Sequence, residues 1–186
     1  MTTPDGTEAS ALPPELKRRA LEALKAPELQ EPALPSGFLT VARLWHYETE
    51  GSWRAWSVSS RPSAIDASPH RIRRVTWDRP GEFARLSVPP APGVDPLVPR
   101  LWHAEARFPV ESWDVLIQEA NTLRVQPLFK EEGSALGGGR DRFGLAYRLS
   151  AQTVSFEWWD GPPAEWKELA EWAARVRDSL DAWLKR

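Results

Sequence analysis

The residues that decide the fold are 143–159, which read FGLAYRLSAQTVSFEWW. Apolar side chains occupy alternate positions before and after a short Ser-Ala-Gln connection: Phe143, Leu145, Tyr147 and Leu149, then Val154, Phe156 and Trp158. Because successive side chains of a strand point to opposite faces, this pattern predicts a β-hairpin with one apolar face. After Gly161-Pro162-Pro163, the apolar residues from about 164 to 185 recur at helical spacing, which predicts a long C-terminal amphipathic helix.

The same alternation occurs earlier in the chain. Residues 101–108 alternate clearly, with Trp102, Ala104, Ala106 and Phe108 on the face expected to be dry. Residues 38–59 are typical of another hairpin, 71–77 of a short strand and 110–123 of a helix, whereas the proline-rich segment 78–99 is predicted to be irregular. The pattern therefore predicts an α+β fold, with an antiparallel sheet of about five to six strands and helices packed on one face.

The N-terminal part has a different composition. Pro13 and Pro14 favour the start of a helix that ends near Lys25, and Pro27, Pro32 and Pro35 indicate an extended linker after it. We therefore predict a tail, short helix and proline-rich linker over residues 1–36, followed by a single α+β domain over 37–186.

Composition excludes several classes of function. The chain has 186 residues, with 24 basic and 26 acidic side chains and a net charge of -2, which argues against a general nucleic-acid coat or a membrane-surface binder. Cysteine is absent, so there are no disulfides, thiolate metal sites or thiol catalysis. Residues 1–10 are polar, so we expect no secretory signal, and no apolar run approaches 20 residues; the expected location is the cytoplasm.

One short pattern occurs twice. Residues 43–48 and 100–105 share the pattern Arg-Leu-Trp-His-x-Glu at the same phase of two predicted strands. If these strands are neighbours, His46, Glu48, His103 and Glu105 converge on one surface and could hold a divalent metal. The alternative is that these polar side chains form the solvated side of a sheet. No cofactor is predicted.

Tryptophan is unusually frequent, at 11 residues. Six of these side chains fall on faces expected to be buried: Trp45, Trp102, Trp113, Trp158, Trp166 and Trp183. Trp53 and Trp159 are less clearly placed, and a basic segment containing Arg71, Arg73 and Arg74 lies between them in sequence. Because exposed Trp beside Arg is common at protein interfaces, these five residues are the predicted partner-binding surface. Exposed Trp could also stack on a sugar or a nucleotide base.

The C-terminal region resembles a known kind of protein. Residues 142–147 (RFGLAY) and 156–169 (FEWWDGPPAEWKEL) are similar to the C-terminal hairpin and helix of small uncharacterised bacterial proteins, in which a Tyr-bearing strand pairs with a Trp-Trp strand and Pro-x-x-Trp opens the last helix. The resemblance covers about a quarter of the chain and implies no activity, substrate or catalytic residue.

The sequence has no Gly-x-Ser-x-Gly, His-Glu-x-x-His or EF-hand pattern. The leading hypothesis is therefore a non-enzymatic, cytoplasmic bacterial protein of the accessory, adaptor or immunity type, which binds another protein by occlusion or scaffolding. A homo-oligomer is compatible with this hypothesis. The alternative is a metal-dependent enzyme or metal-binding module that uses the two Trp-His-x-Glu segments.

Overall fold

The fold was described from a computed structural model, which describes residues 12–61, 70–125, 141–149, 152–159 and 161–185. In chain order the helices and strands are α1 (Pro14–Lys25), β1 (Leu39–Tyr47), β2 (Trp53–Ser60), β3 (His70–Trp77), α2 (Arg79–Leu86), β4 (Leu101–Phe108), α3 (Val110–Thr122), β5 (Arg142–Leu149), β6 (Gln152–Trp159) and α4 (Lys167–Leu184). Short 3-10 turns at Pro27–Leu29 and Ala164–Trp166 follow α1 and precede α4. None of the helices in the described part of the chain is long and apolar enough to cross a membrane.

The six strands form one antiparallel sheet in the order β4-β3-β2-β1-β5-β6. The predicted α+β class, the antiparallel sheet and the C-terminal amphipathic helix are confirmed. Both predicted hairpins occur, and β5 pairs with β1, so the C-terminal hairpin extends the N-terminal sheet.

Helices α3 and α4 pack on one side of the sheet, which we call the α4 face. Its core contains Leu44, Trp56 and Ile72 from the strands and Trp113, Val176 and Leu180 from the helices. The indole N–H of Trp172 in α4 donates to the Leu116 carbonyl in α3 at 3.1 Å, which joins the two helices. These two helices follow the expected arrangement.

The opposite side, which we call the α1 face, is also covered, so helices do not pack on one face only. Leu16, Ala20 and Leu24 of α1 are almost fully buried, in one cluster with Trp53, Ala55, Val75 and Trp77. Strands β2 and β3 carry apolar side chains on both faces. These side chains are buried only if other elements pack on both sides of the sheet. The division into residues 1–36 and 37–186 stays a prediction.

Two local features differ from expectation. The segment predicted to be irregular contains α2, with a proline in its first turn, where the missing N–H costs no hydrogen bond. The buried carboxylate of Glu82 fixes this helix, because it accepts hydrogen bonds from the Arg85 guanidinium at 2.5 Å and the Arg100 backbone N–H at 2.6 Å. Trp102, predicted to be buried, is 67% exposed because β4 is an edge strand.

Candidate functional site

Trp53 does not lie on a surface. Its side chain is 7% exposed and packs between the rings of Tyr47 and Trp77, each with its centroid 5.1 Å away. The charged groups of Lys17 and Arg79 approach the same indole at 5.5 and 5.0 Å. The predicted use of Trp53 as an exposed contact is therefore corrected: this indole is part of the core under α1.

Arg73 is also buried, at 2% exposure, and it binds the protein's own N-terminal segment. Its guanidinium donates to the carbonyls of Gln30 at 2.6 Å and Pro32 at 2.5 Å, and to the Glu105 carboxylate at 2.6 Å. An arginine buried in this way holds residues 28–32 against the sheet and presents no charge to a partner.

Arg71 and Arg74 lie on opposite faces of β3, because successive residues of a strand alternate. Arg74 donates to the Asp181 carboxylate in α4 at 2.8 Å, and Asp181 also accepts the Trp56 indole N–H at 2.8 Å. Arg71 lies 3.8 Å from Glu105 and 5.9 Å from the Phe38 ring centroid. The basic segment therefore makes intramolecular contacts on both faces and is not one continuous positive surface.

Trp159 lies in β6, opposite Arg142 of β5, and is half-buried. Three strands separate β6 from β3 in the sheet, so Trp159 and the three arginines are not brought together.

The two Trp-His-x-Glu segments also lie apart. β1 and β4 are separated by β2 and β3, and His46 lies on the α4 face, whereas His103 and Glu105 lie on the α1 face. Glu48 lies just past the end of β1 and contacts the Arg54 guanidinium at 3.2 Å. The predicted convergence is wrong because the segments are not on neighbouring strands. The described residues contain no group of three or more His, Cys, Asp or Glu side chains suited to a metal ion.

The structure places a different feature on the α4 face, which we call the aromatic groove. It is a cavity of about 440 Å³ between the first three turns of α4 and strands β1, β2, β5 and β6. Its lining residues are Leu44, Trp45, His46, Trp56, Phe143, Gly144, Trp158, Pro162, Lys167, Ala170, Glu171, Ala173, Ala174 and Arg177. Cavities of this size, mostly apolar with a few polar groups, are typical of binding sites.

One wall of the groove is a row of rings on three adjacent strands. His46, Phe143 and Trp158 lie opposite one another in the register of β1, β5 and β6. The His46 and Phe143 rings stack at 4.0 Å and 18°, and the Phe143 and Trp158 rings lie parallel at 6.3 Å and 11°. Cross-strand aromatic contacts of this kind stabilise a sheet and hold each ring in one position.

The opposite wall is α4, and its small residues account for the space. Ala170, Ala173 and Ala174 face the groove, whereas the larger Leu169, Trp172 and Val176 are buried in the core. Residues 167, 170, 174 and 177 recur every three or four positions, so they line about 15 Å of one side of the helix. The helix therefore crosses the sheet without filling the space between these alanines and the aromatic rings of the strands.

The groove has charged groups along its rim. Lys167, Glu171 and Arg177 lie on α4. Desolvation is the largest cause that lowers the pKa of His46, whereas the carboxylates of Asp141 and Glu48 raise it, and the charge of Arg177 lowers it slightly further. Asp141 itself accepts the Thr49 backbone N–H at 2.8 Å, which lowers the pKa of that carboxyl. His46 is therefore mainly neutral near pH 7.

Sequence reasoning missed this groove. The pattern predicts Phe143 and Trp158 on the apolar face of one hairpin and His46 on the polar face of another strand, so it does not place the three rings side by side. Three alanines within five residues of a helix otherwise rich in Leu and Trp were the available signal.

Comparison of the chain with protein-family models, with curated proteins and with solved structures finds no match. The resemblance of the C-terminal hairpin and helix to small bacterial proteins therefore stays a prediction.

Proposed function

We propose that this chain acts by binding another protein, and that the aromatic groove receives an apolar side chain of that partner. The observation that carries this proposal is the open groove itself, in which Phe143 and Trp158 form a wall facing alanines of α4. A partner side chain placed there replaces water against rings that are already held in position.

Two physical arguments support this assignment. Binding energy at protein interfaces is concentrated where an aromatic or large apolar group enters a desolvated pocket. The groove walls belong to a sheet and to a helix packed on it, so little conformational entropy is lost when a partner orders them.

The finer parts of the proposal rest on the sequence. The proposed class is an accessory, adaptor or immunity-type protein of the bacterial cytoplasm, which acts by occlusion or scaffolding. The metal-binding alternative is not carried forward, because His46 and His103 lie on opposite faces of the sheet.

The test uses two matched variants of α4. Ala174→Arg puts a long charged side chain into the groove, whereas Ala182→Arg places the same side chain on an exposed position of the same helix. The tagged wild type and both variants are expressed at native level in the source organism, and co-purifying proteins are identified by mass spectrometry. Circular dichroism and thermal unfolding verify that both variants are folded.

We expect a near-stoichiometric partner with the wild type and with Ala182→Arg, and its loss with Ala174→Arg. Calorimetry with the purified partner should then reproduce this order of affinities. Equal capture by both variants, or no stoichiometric partner for the wild type, would contradict the proposal.

A further inference from the structure

Strand β4 ends the sheet on one side, and its outer edge is open. Within the described part of the chain only β3 pairs with it, in a register that runs without a shift along all 8 residues of β4. Glu105 is exposed as a residue although its side chain is 30% exposed, so the main chain of β4 is itself accessible to solvent. The outer N–H and C=O groups of this strand are therefore available to another strand.

The sequence of β4 lacks the usual protection against such pairing. Edge strands commonly carry proline, lysine or a bulge, each of which prevents a second strand from adding to the sheet. The segment Leu101–Phe108 contains neither proline nor lysine, and its register with β3 has no bulge. Trp102 is 67% exposed on the same edge. A large exposed apolar side chain beside an accessible main chain is typical of an interaction surface.

A second copy of β4 fits this edge. When two identical antiparallel strands are related by a two-fold axis perpendicular to the sheet, one residue lies opposite its own copy. With Ala104 at that position, His103 of each copy lies opposite Glu105 of the other on the α1 face. On the α4 face, Trp102 of each copy lies opposite Ala106 of the other. The first pair is complementary in hydrogen bonding and charge, and the second in size.

The neighbouring registers are less favourable. A pair centred on Glu105 brings this carboxylate opposite its own copy and His103 opposite Arg107. Like charges directly opposite one another destabilise a sheet. A pair centred on His103 moves Glu105 opposite Leu101 and loses both His–Glu contacts. The side chains of β4 therefore favour the register centred on Ala104.

Glu105 can make this contact while it holds Arg73. Its Oε2 accepts two N–H groups of the Arg73 guanidinium at 2.6 and 3.1 Å, whereas Oε1 has a longer contact with Arg71, at 3.8 Å. An ionised carboxylate has about four acceptor positions. Oε1 is therefore able to accept the imidazole N–H of His103 from a second copy.

The other edge of the sheet offers no such match. Strand β6 carries a single ionisable side chain, Glu157, which pairs with Arg142 of β5 at 2.6 Å. No register of β6 with its own copy places opposite charges together, so its side chains do not select a self-pairing in this way.

We propose that this protein forms a two-fold symmetric dimer in which β4 of one copy pairs antiparallel with β4 of the other, centred on Ala104. The two sheets then form one continuous sheet, and Trp102 of each copy is covered by the other. The aromatic groove is lined by α4, β1, β2, β5 and β6 but not by β4, so this inference is independent of the proposed function.

The first experiment measures self-association of the full-length chain by sedimentation velocity, from micromolar to millimolar concentration. We expect a reversible monomer–dimer equilibrium. Trp102→Ala should raise the dimer Kd about tenfold, because both copies lose a cross-strand contact. Val154→Ala, which shortens an exposed apolar side chain on the other edge strand, should leave the Kd unchanged. A wild type that stays monomeric throughout, or a Trp102→Ala variant with the wild-type Kd, would overturn the inference.

The second experiment tests the register and uses the absence of cysteine from the chain. In the proposed dimer the two Cα atoms of residue 104 are about 5 Å apart, within the range of a disulfide, whereas those of residue 107 are about 20 Å apart. Ala104→Cys should therefore form a disulfide-linked dimer under mild oxidation, and Arg107→Cys and Ser155→Cys should not. Circular dichroism verifies that the three variants are folded.

Preferential cross-linking of Arg107→Cys would contradict the register. Preferential cross-linking of Ser155→Cys would place the contact on β6 and overturn the inference.

Discussion

The indole of Trp45 in β1 lies over the backbone of Gly144 in β5. The two residues are opposite one another in the register, and a β-carbon built on Gly144 would overlap ring atoms Cε2 and Cζ2 of the indole. Glycine is required here by this close approach of a neighbouring ring. The Trp45 side chain packs against the cluster under α1, so this contact lies on the opposite face of β1 and β5 from the His46 and Phe143 rings of the aromatic groove.

The first prediction concerns this contact. Gly144→Ala should lower the free energy of unfolding by about 1–3 kcal/mol, because the added methyl forces the indole out of its position. Urea unfolding measures the change. Gly161→Ala is the control, because a β-carbon there meets nothing within 4 Å, and its effect should stay within about 0.5 kcal/mol.

A double-mutant cycle identifies the cause of this loss. With Trp45→Ala in the background, Gly144→Ala should cost much less, since the clashing ring is gone. An equal cost in both backgrounds would mean that the indole is not what excludes a side chain at residue 144.

The second prediction concerns Arg73. Arg73→Ala removes the buried guanidinium that binds Glu105 and the carbonyls of Gln30 and Pro32, and it should destabilise the protein by about 3 kcal/mol. Residues 26–36 should also become more sensitive to protease, because their attachment to the sheet is lost. Arg175→Ala, at an exposed arginine, should change neither property. Unchanged proteolysis in Arg73→Ala would show that other contacts hold this segment.

The third prediction is a loss of stability between about pH 7.5 and pH 5.5. Desolvation lowers the pKa of His46, and also of His70, in the folded protein. Above the unfolded value of about 6.5 both states are neutral and stability is complete. As the pH falls through that value, the unfolded chain binds protons first, so the free energy of unfolding decreases until the folded-state pKa values are passed.

Urea unfolding at the two pH values measures this loss. Carboxylates of the unfolded chain titrate near pH 4, below the window used. The His46→Gln/His70→Gln variant should therefore lose less stability than the wild type over the same range. A wild type that is equally stable at both values, or more stable at pH 5.5, would contradict the stated direction of these shifts.

The fourth prediction concerns the empty volume of the groove. Ala174→Leu fills part of it with apolar atoms and should raise the free energy of unfolding by about 0.5–2 kcal/mol while weakening partner binding. Ala182→Leu, on the exposed side of α4, should change neither by a measurable amount. If Ala174→Leu destabilises the protein instead, the helix lies closer to the sheet than the cavity indicates.

The sequence predicted the elements well because their signals are local. Alternation with period two in 101–108 and 143–158, and the 3.6-residue spacing of the last helix, depend on residues that are neighbours along the chain. The same periodicity predicted the class of fold. It missed α2, because a proline in the first turn of a short helix has the same appearance as a proline in a loop.

The sequence could not predict which strand lies at the edge of the sheet, and this decides which of the apolar side chains stay exposed. Trp102 and Trp56 both lie within predicted strands, yet Trp102 is 67% exposed on an edge strand and Trp56 is fully buried on a central one. No periodicity within a strand distinguishes an edge from a centre.

What the sequence determined by itself was therefore the set of strands and helices and the α+β class, since these depend on the period of apolar residues. Only the tertiary structure decided that Arg73 binds Gln30 and Pro32, that His46 and His103 lie apart, and that three alanines of α4 face Phe143 and Trp158 across a groove. These relationships concern residues 12 to 57 positions apart. Strand order and helix crossing decide them, and neither leaves a local pattern in the chain.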